Sequence, residues 1–300
     1  MKVAIVGAGP MGQALASVAM EAGTEVLLGY RSQSVRGIPT TSDPAELAAF
    51  AELVLFAVPA WELHATLGAL PLGPQHRTVL CARGPDPESG TWLHELVPQL
   101  SPCLRVGMLA GPMVPTEVLS GHPGAAVIAS PYAELRERTQ QALHSPRCRI
   151  YKSDDIRGVE LASAFARVLA VVAGVAEALQ MGEAAHGLVT SRGLAEATRL
   201  GAALGAKRET FTGLAGLGEL VASSGPHNLA FAAGQALVRG ERHAEEDAFR
   251  SARALVRVAA PVKVELPLTE AIAAIATGEI DPREAFRALM ERPALRGVEM

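Results

Sequence analysis

Lys2-Val3-Ala4-Ile5-Val6-Gly7-Ala8-Gly9-Pro10-Met11-Gly12 stands at the start of the sequence, and the reading of this stretch decides the fold. The apolar run 2–6 has the length and β-branching of a buried strand, and residues 13–22 read as a helix. Between them Gly7, Gly9 and Gly12 satisfy G-x-G-x-x-G, with Pro10 and Met11 on the same turn. In a strand–turn–helix context the first glycine makes the tight turn, the second lets the backbone approach a pyrophosphate, and the third lets helix pack on strand. The helix amino terminus adds unpaired N–H groups and partial positive charge for the phosphates. The bland alternative is a glycine-rich turn with no ligand. The expectation is a Rossmann-type domain that holds NAD(H) or NADP(H).

Outward from that turn, the second strand ends in Gly29-Tyr30-Arg31-Ser32, where an acidic residue would accept the hydroxyls of an NAD ribose. Arg31 and Ser32 offer a cation and a hydroxyl instead, which suits the 2′-phosphate of NADP; stacking on adenine or a solvated loop arginine are the other readings of Arg31. The third strand ends in Phe56-Ala57-Val58-Pro59, so Val58 and Pro59 either line the nicotinamide half of the crevice or mark an ordinary strand end stopped by proline. Strands are expected at 2–6, 25–28, 53–57, 78–81, 105–109, 125–128 and 149–152, alternating with helices as in a parallel α/β sheet.

After about Asp155 alanine- and leucine-rich helical segments take over. Helices are expected at 156–180, 183–204, a short one near Lys207, 228–239, 247–258, 267–276 and 282–290, with Gly182, Gly205 and Gly240 as stops. The chain therefore divides into 1–154, binding the dinucleotide, and an all-α unit 155–300.

The 300 residues, 49% hydrophobic, supply two cores, and a net charge of −4 gives no basic surplus for nucleic acid. Cys81, Cys103 and Cys148 are widely spaced, which fits reduced thiols in a cytoplasmic protein and indicates no metal site. In the most apolar helical stretch only 168–176 is free of charge, about half a bilayer span, so no membrane insertion is expected.

Further motifs are Arg83-Gly84 with Pro87-Glu88-Ser89-Gly90, Ala110-Gly111-Pro112 with Glu117-Val118, Val159-Glu160-Leu161-Ala162, Thr190-Ser191-Arg192-Gly193-Leu194-Ala195-Glu196 and Leu214-Ala215-Gly216-Leu217-Gly218-Glu219-Leu220. Together with the amino-terminal turn and Phe56-Ala57-Val58-Pro59, their order resembles the bacterial type of NAD(P)-dependent glycerol-3-phosphate dehydrogenase across most of the chain. The resemblance implies a Rossmann domain followed by an all-α domain on the 6-phosphogluconate-dehydrogenase-like plan, a homodimer through the helices, and a small anionic, phosphorylated substrate. It also implies reversible hydride transfer between C4 of the nicotinamide and C2 of dihydroxyacetone phosphate, giving sn-glycerol 3-phosphate. That chemistry needs a carbonyl held against the nicotinamide, a cation or acid for the developing alkoxide, and a phosphate grip.

At several positions the chain departs from the family pattern. A lysine expected before the glycine of the fourth-strand loop is Arg83, which keeps the charge but hardly ever gives up a proton. The principal catalytic lysine, in a segment that usually reads leucine-lysine-asparagine, matches Ala166 within Phe165-Ala166-Arg167. Arg167 is turned by about 100° from it along a helix, so it is either a pocket cation or an ion-pair arginine. The assisting aspartate is Glu219, a threonine aligns with Ser223, and an arginine-asparagine pair becomes His227-Asn228. His227 is either a replacement acid or an exposed helix-start residue, and Arg192 is either a pocket cation or a salt-bridge partner. The candidate catalytic residues are thus Arg83, Glu219 and His227, and the candidate substrate ligands Arg167, Arg192, Ser223 and Asn228. Two classes of function compete: an oxidoreductase with a modified site, on this or another small anionic carbonyl compound, and a nucleotide-binding sensor without turnover, favoured by Ala166.

Overall fold

Strands and helices alternate through Ser153 in the computed structural model, which describes residues 1–31, 34–226, 228–241 and 246–291. The strands are β1 (Lys2–Val6), β2 (Glu25–Gly29), β3 (Thr40–Thr41), β4 (Leu53–Phe56), β5 (Arg77–Leu80), β6 (Arg105–Ala110), β7 (Gly124–Ala129) and β8 (Cys148–Ser153). The helices between them are α1 (Pro10–Glu21), α2 (Pro44–Phe50), α3 (Ala60–Ala69), α4 (Leu93–Leu100), α5 (Pro115–Leu119) and α6 (Ala133–Leu143). All strands join one sheet in the order β3-β2-β1-β4-β5-β6-β7-β8. β4 is buried at every position and β1 at all but its first, because helices cover both faces of the sheet. Winding reverses at β1, between β2 and β4, and the crevice at the carboxyl ends there is the usual ligand site of such sheets.

The structure corrects the expected all-parallel sheet in one place. β7 runs antiparallel to β6, with Ala110 opposite Val127, and β8 then runs parallel to β7. The link from β6 to β7 carries only the five-residue α5, too little helix for a right-handed crossover, so the chain turns back beside its own strand. β3 was not expected; two threonines give no hydrophobic period to read.

The second half is helical: α7 (Ile156–Ala178), α8 (Glu183–Ala203), α9 (Arg208–Thr212), a π-turn (Leu214–Gly218), α10 (Glu219–Ser223), α11 (Leu229–Arg239), α12 (Glu246–Val262), α13 (Pro267–Thr277) and α14 (Pro282–Glu291). Asp155 starts α7: one carboxylate oxygen accepts from Gly158 N at 3.0 Å, the other from Lys207 N at 2.9 Å and Thr210 Oγ1 at 2.6 Å. Gly182, Gly205 and Gly240 have φ of +77°, +79° and +69° and fall between helices as expected. By length and composition α7 would cross a membrane, with a mean hydropathy of 1.8, but its apolar window is 94% buried inside the protein. Its side chains form the core of the helical half and continue into the sheet's second hydrophobic layer. α7 packs on α8, α10, α11 and α12, and also touches β6.

Candidate functional site

The glycine turn has the steric form that its spacing requires. Gly7 has φ +106°, and a Cβ there would meet Ala57 O at 2.6 Å and Val58 Cγ1 at 2.9 Å, so the loop after β4 closes directly on it. A Cβ on Gly12 would lie 1.8 Å from Gly7 O. Gly9 is the N-cap of α1, with φ −69° and ψ 178°, and a Cβ there finds nothing within 4 Å. Pro10 holds the first helical position, and no side chain caps the first N–H groups of α1. A bare helix amino terminus beside the open space at Gly9 fits a diphosphate, whose charge the backbone amides would hold.

Along the rest of the crevice, Val58 lies against Gly7 and Pro59 caps α3 after the strand has stopped at Phe56. Arg31 is exposed and donates from Nη1 to Glu62 Oε2 at 3.0 Å. Ser32 and His227 lie outside the described residues.

Beyond β5 and β6 the two halves of the chain meet. Arg83 donates from Nε to Glu219 Oε1 at 2.6 Å, and Glu219 Oε2 accepts from Gly111 N at 3.1 Å. The Glu219 side chain is only 3% exposed and that of Arg83 18%. A water-sized cavity of about 10 Å³ lies here, lined by Met11, Cys81, Arg83, Leu109, Ala110, Gly111 and Met113. It therefore joins the glycine turn, through Met11, to the Arg83 loop and the β6 end. Burial pushes the Cys81 thiol up to about 12, which keeps it an un-ionised wall of the cavity and no nucleophile.

The remaining candidates among the described residues do not line this cavity. Ala166 is 2% exposed in the core of α7, while Arg167, one position on, reaches Asp247 of α12 from Nε at 3.3 Å. That is the ion-pair geometry of the two readings. Arg192 is exposed on α8 and does not line the cavity. Ser223 ends α10, half-buried. Asn228 caps α11, its Oδ1 accepting from Ala230 N at 2.9 Å and Phe231 N at 3.4 Å.

The sequence showed Gly111 only inside a longer motif and did not reveal its N–H as a donor to Glu219; a glycine two residues past the strand expected at 105–109 was the signal. The π-turn that delivers Glu219 was also missed, since helix widening leaves no hydrophobic period. A larger polar cavity, about 410 Å³, lies beyond the end of β8 among Arg136, Glu137, Lys152, Asp154, Lys207 and Glu209. Its charges balance, and it does not include the glycine turn, whereas the small cavity is lined by Met11 and Arg83.

Comparison with known proteins bears on the family of the chain. A family model described as the NAD-dependent glycerol-3-phosphate dehydrogenase C-terminus matches residues 155–287, and one described as coenzyme F420-dependent NADP oxidoreductase matches 2–81. A glycerol-3-phosphate dehydrogenase [NAD(P)+] of Bradyrhizobium sp. strain BTAi1 is 39% identical over 318 residues, covering 97% of both chains. One of Acidovorax sp. strain JS42 is 37% identical over 325 residues, covering 97% of this chain and 98% of its own. The crystal structure of glycerol-3-phosphate dehydrogenase from Coxiella burnetii superposes with a TM-score of 0.85 at 27% identity, covering 97% and 99% of the two chains. A ketopantoate reductase from Ralstonia eutropha JMP134 shares the fold alone, with a TM-score of 0.63 and 20% identity over 95% of this chain and 100% of that one.

Proposed function

The chain belongs to the NAD(P)-dependent glycerol-3-phosphate dehydrogenase family, and on that premise we propose that it reduces and re-forms a small phosphorylated carbonyl compound, dihydroxyacetone phosphate being the reference substrate, at a modified site. The observation that carries the reading is the Arg83–Glu219 pair, which sets a fixed cation beside Met11 of the glycine turn. Bound NAD(P) supplies the hydride donor or acceptor. Gly7, Gly9, Pro10, Met11 and Gly12 hold its diphosphate, Val58 and Pro59 flank its nicotinamide half, and Arg31 with Ser32 gives NADP the advantage.

Glu219 fixes the Arg83 guanidinium by a charge-assisted bond, and Arg83 orients the carbonyl oxygen and stabilises negative charge on it. Arginine does not surrender its proton at neutral pH, so His227 is the proton donor in this reading, with Ser223, Asn228 and Arg192 as candidate phosphate ligands and Arg167 held by Asp247 instead. The unit 1–154 binds the nucleotide, and 155–300 completes the substrate site and joins two copies into a homodimer of the cytoplasm. A second reading, a nucleotide-binding sensor without turnover, is favoured by one observation: Ala166 offers no functional group on a helix packed against α10.

The experiment is NADPH and NADH oxidation with dihydroxyacetone phosphate, then with a panel of small phosphorylated and carboxylated carbonyls, beside calorimetry with both nucleotides. Turnover of a phosphorylated substrate supports the enzyme reading; nucleotide binding with no turnover of any panel member gives the sensor.

A further inference from the structure

Arg31 lies two residues past β2, and Glu62 sits in the first turn of α3, which follows β4. Because β1 lies between β2 and β4, the Arg31–Glu62 bond reaches across the carboxyl end of β1, above the place where the glycine turn begins. In Rossmann-type sheets the residue at the end of the second strand faces the adenosine ribose, and its charge decides between a 2′-hydroxyl and a 2′-phosphate. Here that position is already occupied by an ion pair. The Arg31 side chain is 85% exposed and that of Glu62 34%, so the strap is held mainly by its own two charges and little packing.

We infer that Glu62 is a cofactor-selectivity residue, which restrains Arg31 and so keeps NAD(H) competitive with NADP(H); the inference rests on the nucleotide use proposed above. A 2′-phosphate competes with the Glu62 carboxylate for the Arg31 guanidinium and brings further negative charge beside that carboxylate. A 2′-hydroxyl does neither, and it donates a hydrogen bond to a carboxylate without repulsion. Arg31 alone would favour the phosphate strongly; Arg31 with Glu62 attached favours it weakly. Between exposed charges several ångströms apart in a high-dielectric setting, removing the carboxylate is worth roughly three- to tenfold in affinity for the phosphorylated nucleotide.

The test is calorimetry of the full chain with NAD+ and NADP+ at low salt, on wild type, Glu62→Gln, Arg31→Gln and the double variant, with thermal unfolding to verify the fold. Glu62→Gln is expected to tighten NADP+ by about three- to tenfold and to leave NAD+ within about twofold, a gain that shrinks at 0.5 M salt. Arg31→Gln is expected to weaken NADP+ selectively, and in its background Glu62→Gln should gain less, because no guanidinium remains to be released. An unchanged NADP+ to NAD+ affinity ratio in folded Glu62→Gln overturns the inference while leaving the cofactor reading intact. Failure of the wild type to bind either nucleotide overturns the cofactor reading, and this inference with it.

Discussion

Gly9→Ala separates binding from folding more cleanly than any other substitution in the glycine turn. With φ −69° and ψ 178° the backbone at Gly9 is open to any residue, and the added methyl meets no heavy atom within 4 Å. Two small effects on stability oppose each other. Alanine restricts the unfolded chain, a gain of about 0.4–1 kcal/mol, and it is a poorer N-cap than glycine, a loss of about 0.5–1 kcal/mol. The net is close to zero, a melting shift of no more than about 3 °C. Nucleotide affinity responds quite differently, because the methyl points into the space beside the uncapped N–H groups of α1. Overpacking by one methyl costs about 1–3 kcal/mol, or roughly a 5- to 150-fold weaker complex. Gly12→Ala is the contrasting control: its Cβ would lie 1.8 Å from Gly7 O, so the turn itself must distort and the protein loses stability. Calorimetry with NAD+ and NADP+, paired with thermal unfolding, reads both quantities. If Gly9→Ala binds either nucleotide as tightly as wild type, the assignment of the diphosphate to this turn is wrong.

Three more outcomes follow from the rest of the site and its support. Glu219→Gln removes the carboxylate that holds the largely buried Arg83, which should lower the unfolding free energy and cost about a hundredfold in kcat/KM; adding Arg83→Gln should recover stability but not turnover, and recovery of both would remove the pair from the mechanism. Burial pushes the Glu196 carboxyl from its ordinary value of 4.5 up to about 7, despite hydrogen bonds from Leu268 N, Thr269 N and Thr269 Oγ1. The folded state thus holds this proton where the unfolded state has lost it, so stability should fall as pH rises from 4.5 to 7, by on the order of 3 kcal/mol; chemical denaturation across that range should show a flatter profile for Glu196→Gln, and equal slopes would contradict the assignment. Ala166→Lys, which places an ammonium group on α7 where it packs against α10, should raise the rate of dihydroxyacetone phosphate reduction at least about tenfold by supplying an acid, and a folded variant with no gain would mean that the substrate pocket differs elsewhere.

The parts of this protein that could be read from the sequence are those whose cause is local. Gly7, Gly9 and Gly12 declare a turn because each acts within one strand–turn–helix unit, and the apolar runs of β1, β4 and β6 declare strands because both faces are covered. The reversal at β7 was hidden because strand direction depends on the length of helix in the link, and a buried strand looks the same either way up. Arg83 and Glu219 stand 136 residues apart in sequence, so their bond had no spacing to reveal it. Arg167 could not be oriented from its neighbour Ala166, since its direction is set by Asp247 on another helix. Asn228 was read by functional group, whereas its oxygen is engaged in starting α11.

The hidden pairings share one physical device. Glu160 on α7 accepts from Leu93 N at 2.7 Å and pairs with His94 Nδ1 at 2.5 Å, and Glu219 on α10 accepts from Gly111 N at 3.1 Å while holding Arg83. Both carboxylates belong to the helical half, both are almost wholly buried, and each grips a main-chain N–H of the sheet half. Burial pushes the Glu160 carboxyl up, against the pull of its His94 and Leu93 hydrogen bonds. Apolar contact between two halves tolerates sliding; a buried carboxylate aimed at a particular N–H does not, because any displacement leaves charge unpaired at a cost of several kcal/mol. The position of Arg83 relative to Met11 is therefore set by the same bonds that dock the halves. A substitution at Glu160, far from the cavity along the chain, should alter KM and kcat together with stability, whereas one at the exposed Arg192 should leave the docking, and hence Arg83, in place.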